Sequence, residues 1–117
     1  MTQYRISGGR ALYGTLTAGG AKNALLPILA ATLLYGGPCE LHRCPNLTDV
    51  DNTLEILRYL GAKVRVCGDV ITVDTARVNR FDIPQTLMHR CRASICFLAP
   101  LLHRFGKCEI AYPGGCK

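Results

Sequence analysis

The sequence predicts an α/β fold. Apolar runs with a helical period alternate with short β-branched stretches, and Gly and Pro fall at the junctions between them. At 117 residues, 49% of them apolar and 19% charged, the chain is long enough to bury one core and too apolar for disorder.

The elements follow in order. Tyr4 to Ser7 and Tyr13 to Thr17 read as short strands around Gly8-Gly9-Arg10, a hairpin signal. The run from Ala24 to Leu34 is apolar on every side and reads as a buried helix, with Pro27 near its first turn and Gly36-Gly37-Pro38 as its stop. Cys39 to His42 is a strand candidate. A second helix is expected from Thr48 to Leu60: Val50, Leu54, Leu57 and Leu60 keep the period, Thr48 and Asp49 suit the start, and Gly61 suits the end. Val64 to Val66 and Val70 to Val73 flank Gly68-Asp69, which predicts a second hairpin. Pro84 opens a third helix with Leu87, Cys91, Ile95, Leu98 and Leu102 on one face, Pro100 kinking it or splitting off its last turn, and Gly106 as its close. Cys108 to Tyr112 is a last strand leading into the turn Pro113-Gly114-Gly115-Cys116.

The net charge of +6 favours an anionic partner. The basic residues are scattered singly and few aromatics lie among them, so no nucleic-acid platform is expected. Residues 1–10 lack the apolar stretch of a secretory signal, and Ala24 to Leu34 is too short to span a bilayer. The 7 cysteines are odd in number. Cys39 and Cys44 flank His42, and Cys91 and Cys96 repeat that spacing. Zinc sites prefer tighter knuckles, so free buried thiols are expected and no metal.

Three short segments carry chemistry. Gly20-Ala21-Lys22-Asn23 places a cation at a helix start, where exposed N–H groups and the helix dipole favour an anion. A capped helix with a solvated lysine is the bland alternative. Cys91-Arg92-Ala93-Ser94 puts an arginine on a largely apolar helix, which is costly unless the side chain reaches an anion or the surface. Pro113-Gly114-Gly115-Cys116 displays a thiol on a glycine turn that is free to approach a ligand closely. It looks like a functional loop cut at its end.

In this order and spacing the segments resemble the UDP-N-acetylglucosamine 1-carboxyvinyltransferase family. The resemblance extends through Leu26-Pro27-Ile28-Leu29-Ala30-Ala31, Pro45-Asn46-Leu47-Thr48-Asp49-Val50-Asp51, Leu60-Gly61-Ala62-Lys63-Val64 and Arg104-Phe105-Gly106. The sister family, 5-enolpyruvylshikimate-3-phosphate synthase, shares the fold and a similar lysine. The Lys22-Asn23 pair and Cys116 are closer to the cell-wall enzymes. Gly19 stands where that family usually has serine, Cys91 where it has methionine, and Cys96 where some members have a large aromatic.

The resemblance implies an inside-out α/β barrel built of βαβαββ units, of which this chain holds the N-terminal part. Residues 1–21 would be the first strands of a second, discontinuous domain, and residues 22–117 the N-terminal part of the catalytic domain. It implies transfer of an enolpyruvyl group from phosphoenolpyruvate to the 3-hydroxyl of UDP-N-acetylglucosamine, in the cytoplasm, without cofactor, metal, membrane or nucleic acid. Lys22 would contact phosphoenolpyruvate, Asn23 would share that contact or hold the sugar, and Arg92 would help bind the nucleotide sugar. Cys116 would be the general acid and the target of fosfomycin. Asp49 and Asp51 match the family pattern and read first as helix-start carboxylates. The arginine run and second-domain carboxylate that complete such a site are expected in a missing C-terminal portion, so the chain alone is expected to show no transferase activity. A nucleotide-sugar-binding remnant and a product without function are the competing expectations.

Overall fold

The computed structural model describes residues 2–113. Gly114, Gly115 and Cys116, which the sequence reads as the end of the thiol-bearing turn, lie outside the described residues. Helix α1 (Lys22–Tyr35) leads into strand β1 (Pro38–Leu41), helix α2 (Thr48–Leu60) and the hairpin β2 (Lys63–Cys67) and β3 (Val70–Asp74). Strand β4 (Asp82–Ile83), a single turn α3 (Gln85–Met88), a 3-10 helix (Arg92–Phe97), helix α4 (Leu98–Phe105) and strand β5 (Glu109–Ile110) follow.

The expected hairpin between Tyr4 and Thr17 is not formed. Residues 2–21 carry no strand, and Tyr4, Ile6, Leu12, Tyr13 and Leu16 are 85–96% exposed. Two isolated strands do not sustain a ladder in water without a further surface to cover their apolar side chains, and none of the described residues supplies one.

Helix α1 begins two residues before the apolar run and ends where Gly36 turns to a left-handed φ of 71°. Pro27 therefore sits in the second turn and leaves the Asn23 carbonyl without an intrahelical partner. Burial is one-sided. Leu25, Leu26, Leu29, Ala30, Thr32 and Leu33 are buried, while Ala24, Pro27, Ile28, Ala31 and Leu34 face outward. A helix apolar all round carries no record of which side its neighbours cover, so the expectation of a wholly buried helix fails on the outer face. The inner face packs against α2, the 3-10 helix and α4.

Helix α2 has the expected bounds because its sequence is amphipathic: Val50, Thr53, Leu54, Ile56, Leu57 and Leu60 are buried. Thr48 is its first helical residue rather than its cap; Leu47 takes the extended cap conformation, and its carbonyl accepts from the N–H of Val50 and of Asp51. Strand β3 is the centre of a three-stranded antiparallel sheet, with β1 on one side and β2 on the other. Cys67 pairs with Val70 across the Gly68-Asp69 turn, where Gly68 supplies φ 59°. Ile71 and Val73 of β3 are buried and their neighbours half-buried, the two-residue period of a sheet covered on one face.

Arg104 fastens α4 to this layer. Its guanidinium donates to the carbonyls of Leu33, at 3.1 Å, and Thr75, at 2.6 Å, joining the last turn of α1 to the end of β3. Thr75, itself buried, donates its hydroxyl to the Thr32 carbonyl at 2.9 Å.

The third helix differs most from expectation. The chain breaks at Cys91, which is extended (φ −150°, ψ 129°), and resumes as a 3-10 helix. Met88, Cys91, Ser94 and Phe97 are buried, whereas Ile95, Leu98 and Leu102 are 44%, 37% and 44% exposed. Within the 3-10 helix Ser94 and Phe97 lie one three-residue turn apart and face inward together, while Met88 ends α3 and Cys91 is the extended residue of the break, so the inward face is displaced from the one that a 3.6-residue period selects. Of the two outcomes expected at Pro100, the split is the one found: α4 is a separate segment, with Pro100 as its third residue. Ser94 donates its hydroxyl to the carbonyls of Met88, at 3.0 Å, and Cys91, at 2.6 Å, which stitches the break shut. The two-residue strand β4, unforeseen in the sequence, pairs in parallel with β5, a fragment of the expected strand from Cys108 to Tyr112.

The seating of α1 gives a direct contrast between adjacent residues. Leu29 is fully buried and Ile28 is 46% exposed. Leu29→Ala is expected to lower unfolding free energy by about 3 kcal/mol, and Ile28→Ala by less than about 1 kcal/mol, both read from urea denaturation.

Candidate anion-binding site

Three chain segments start helices at one rim of the molecule. Lys22 is the first residue of α1, Asp49 the second of α2, and Arg92 the first of the 3-10 helix. Together with Asn23, Cys91, Ala93 and Cys96, and floored by Leu26 and Pro27, they line an open concavity of about 420 Å³. Helix starts present unsatisfied N–H groups and a positive dipole end, so the rim is suited to negative charge.

The approach to Lys22 is built tightly. A Cβ on Gly20 would lie 1.8 Å from the Arg43 carbonyl oxygen, so only glycine lets the two backbones pass. Arg43 takes a left-handed φ of 59°, which a side-chain-bearing residue adopts at a cost of about 1–3 kcal/mol. Its guanidinium donates to the Ala18 carbonyl at 2.9 Å, tying the same stretch a second time. The chain is thereby fixed where α1 begins.

Lys22 Nζ donates to Asp49 Oδ2 at 2.9 Å, with the two side chains 40% and 35% exposed. The hydrogen bond from Asp49, followed by its charge, raises the Lys22 pKa, so the ammonium stays charged throughout the physiological range. Arg92 is exposed, and its guanidinium has no hydrogen bond or ion pair among the described residues. Asn23 is likewise exposed at the rim. Cys91 lies behind them, buried; desolvation pushes its thiol pKa up, and the Asp49 charge adds to this. It is a neutral packing group and a poor nucleophile.

Lys22, Asn23 and Arg92, three of the four residues singled out in the sequence, thus share one concavity, while Cys116 lies outside the described residues. The sequence reading treated Asp49 as a helix-start carboxylate and missed its bond to Lys22, which joins residues 27 apart. It also missed Arg43. The Gly19-Gly20 doublet was the only local sign that two backbones approach each other there. The free cysteines are not uniformly buried as expected: Cys44 and Cys91 are buried, Cys39, Cys96 and Cys108 are half-buried, and Cys67 is exposed. Among the described residues, no group of three or more His, Cys, Asp or Glu is gathered closely enough to hold a metal ion.

Comparison with known proteins places this geometry. The profile of the EPSP synthase (3-phosphoshikimate 1-carboxyvinyltransferase) family matches residues 6–117. The chain belongs to the EPSP synthase family. Within it, the chain is 50% identical over 117 residues to the UDP-N-acetylglucosamine 1-carboxyvinyltransferase of Chlorobium chlorochromatii, covering 99% of this chain and 28% of that protein. The protein of the same name from Shewanella amazonensis is 47% identical over 116 residues, with the same coverage of 99% and 28%. The crystal structure of the enolpyruvyl transferase NikO from Streptomyces tendae superposes with a TM-score of 0.74 at 30% identity, over 85% of this chain and 23% of that one. The α/β fold expected from the sequence is therefore that of an enolpyruvyl transferase. The chain spans a little over a quarter of the length of its curated relatives, 28% in both cases given.

Four groups have folded-state pKa values above their ordinary ones: Cys44, Cys91 and Cys108 through burial, and Lys22 through Asp49. A raised folded value contributes stability that is complete below the unfolded value and lost as pH rises through the folded one. The thiols, with an ordinary value of 9.0, act first and Lys22, at 10.5, later. The urea midpoint is accordingly expected to hold steady up to about pH 8 and to fall progressively above 9.0. A midpoint that rises through that range would contradict the assignment.

Proposed function

We propose that this chain forms the substrate-facing N-terminal part of an enzyme that transfers the enolpyruvyl group of phosphoenolpyruvate to the 3-hydroxyl of UDP-N-acetylglucosamine, releasing phosphate. The observation that carries the proposal is the gathering of Lys22, Asn23 and Arg92 on one concavity at two helix starts, with Asp49 at a third. The names of relatives at 43–50% identity support the choice of acceptor.

The chemistry requires two things of this region. Phosphoenolpyruvate carries a carboxylate and a phosphate, and Lys22 with the N–H groups at the start of α1 would neutralise them. Arg92, which lines the same concavity and has no ion pair among the described residues, would take a phosphate of the nucleotide sugar, for which its planar fork of donors is suited. Asn23 would add a neutral donor and acceptor between them.

The reaction then needs a proton on the methylene carbon of phosphoenolpyruvate as the sugar hydroxyl bonds to the neighbouring carbon. In this reading the Cys116 thiol supplies it. A base outside residues 1–117 would take the hydroxyl proton, and the new methyl group would return a proton to the thiolate as phosphate departs, restoring the enol double bond. A thiol serving as acid has to keep its proton, and bound substrate anions would favour the protonated form. The cytoplasm is the compartment this reading assigns, and no described helix is long and apolar enough to cross a membrane.

A chimera tests the proposal. Residues 1–117 would replace the matching stretch of the Chlorobium chlorochromatii protein, and phosphate release from phosphoenolpyruvate would be measured with each acceptor. Turnover is expected with UDP-N-acetylglucosamine, and Lys22→Ala or Cys116→Ala should lower it by about 100-fold or more. A folded chimera that turns over shikimate 3-phosphate instead would show the acceptor to be wrong.

A further inference from the structure

Building on that reading, we propose that Asp49 is a positioning residue, whose carboxylate holds the Lys22 ammonium at the rim of the concavity in readiness for an anion. A lysine is a point charge on a four-carbon flexible stem, and one that is half exposed would otherwise distribute over many rotamers. The 2.9 Å bond to Asp49 Oδ2 selects among them.

Asp49 is itself well placed to do this. It lies in the first turn of α2, and its backbone carbonyl accepts the hydroxyl of Thr53 at 2.8 Å. Thr53 is buried, so the turn bearing the carboxylate is anchored in the core instead of hanging from a loop. The tether leaves capacity to spare. An ammonium has three donors, and Asp49 takes one, leaving two for an incoming anion. The groups facing Lys22 are Asp49 from α2, and Cys91 and Arg92 from the segment before and at the start of the 3-10 helix. With Cys91 neutral, the rim retains a net positive charge from Lys22 and Arg92 against Asp49, so the tether does not cancel the attraction for anions.

If Asp49 served only the dipole of α2, its removal would weaken the helix and leave Lys22 unchanged. Side-chain nitrogen NMR of the 117-residue chain labelled at lysine separates the two roles, with the Lys22 signal assigned through Lys22→Arg. Asp49→Asn keeps the shape and an acceptor oxygen; Asp49→Ala removes both. Proton exchange at the Lys22 ammonium is expected to quicken about two- to fivefold in Asp49→Ala, the range an exposed ion pair supports. Asp49→Asn should fall between, and the Lys22 titration should move down in both variants. Circular dichroism confirms the fold, and Asp49→Asn carries the test if Asp49→Ala does not fold. Unchanged Lys22 exchange and titration in a folded Asp49→Asn would overturn the proposal. So would tighter phosphoenolpyruvate binding by Asp49→Asn, since that would make the carboxylate a competitor. If the variants release Lys22 but phosphoenolpyruvate perturbs it in none of the proteins, the tether stands and the functional reading falls.

Discussion

The structure depends on how α1 is seated. Its inner face, Leu25, Leu26, Leu29, Ala30 and Leu33, is shared by α2, the 3-10 helix and α4, and each of those elements touches the others less than it touches α1. Leu29 and Leu33 have essentially no exposed surface, so the core has no slack along this helix. Two polar ties act at its far end, where Arg104 reaches the Leu33 carbonyl and Thr75 reaches that of Thr32. With the C-terminal end held by those bonds and the N-terminal end by the close pass of Gly20 against Arg43, α1 can neither slide nor rotate.

The site is a consequence of that seating. Helices that start on the same side of a shared core bring their first residues together, and here those residues are Lys22, Asp49 and Arg92. No single element constitutes an anion site. A lysine at one helix start, an aspartate at another and an arginine at a third become a rim with net positive charge only when the core sets their distances. The same reasoning explains the buried thiol of Cys91: the break that aims Arg92 outward turns its neighbour inward, where Ser94 closes the gap with two hydrogen bonds.

The parts of this arrangement that were legible in the sequence are those encoded locally. Helix α2 declares its face through alternating apolar and polar residues, and the Gly68-Asp69 turn fixes the hairpin register through a glycine at positive φ. Orientation of α1 was illegible because every side of it is apolar. The break at Cys91 was illegible because a 3.6-residue period also fits the stretch; the three-residue spacing of Ser94 and Phe97 is visible only once the 3-10 geometry is known. The first-strand expectation failed for a different reason, since strands are completed by partners and residues 4–17 have none among the described residues. At the site, the residue types and order of Lys22, Asn23 and Arg92 were readable, whereas the Lys22–Asp49 bond depends on tertiary placement and had no signature of its own.

The central claim is that α1, α2 and the 3-10 helix together make the anion site. The most direct measurement is a map of backbone amide shifts across the 117-residue chain as phosphoenolpyruvate is added. The account predicts perturbations centred on residues 21–23 and 91–94, the N–H groups at the helix starts around Lys22 and Arg92. Perturbations confined to residues away from these helix starts, such as Arg77, Arg80 and Lys107, would contradict it.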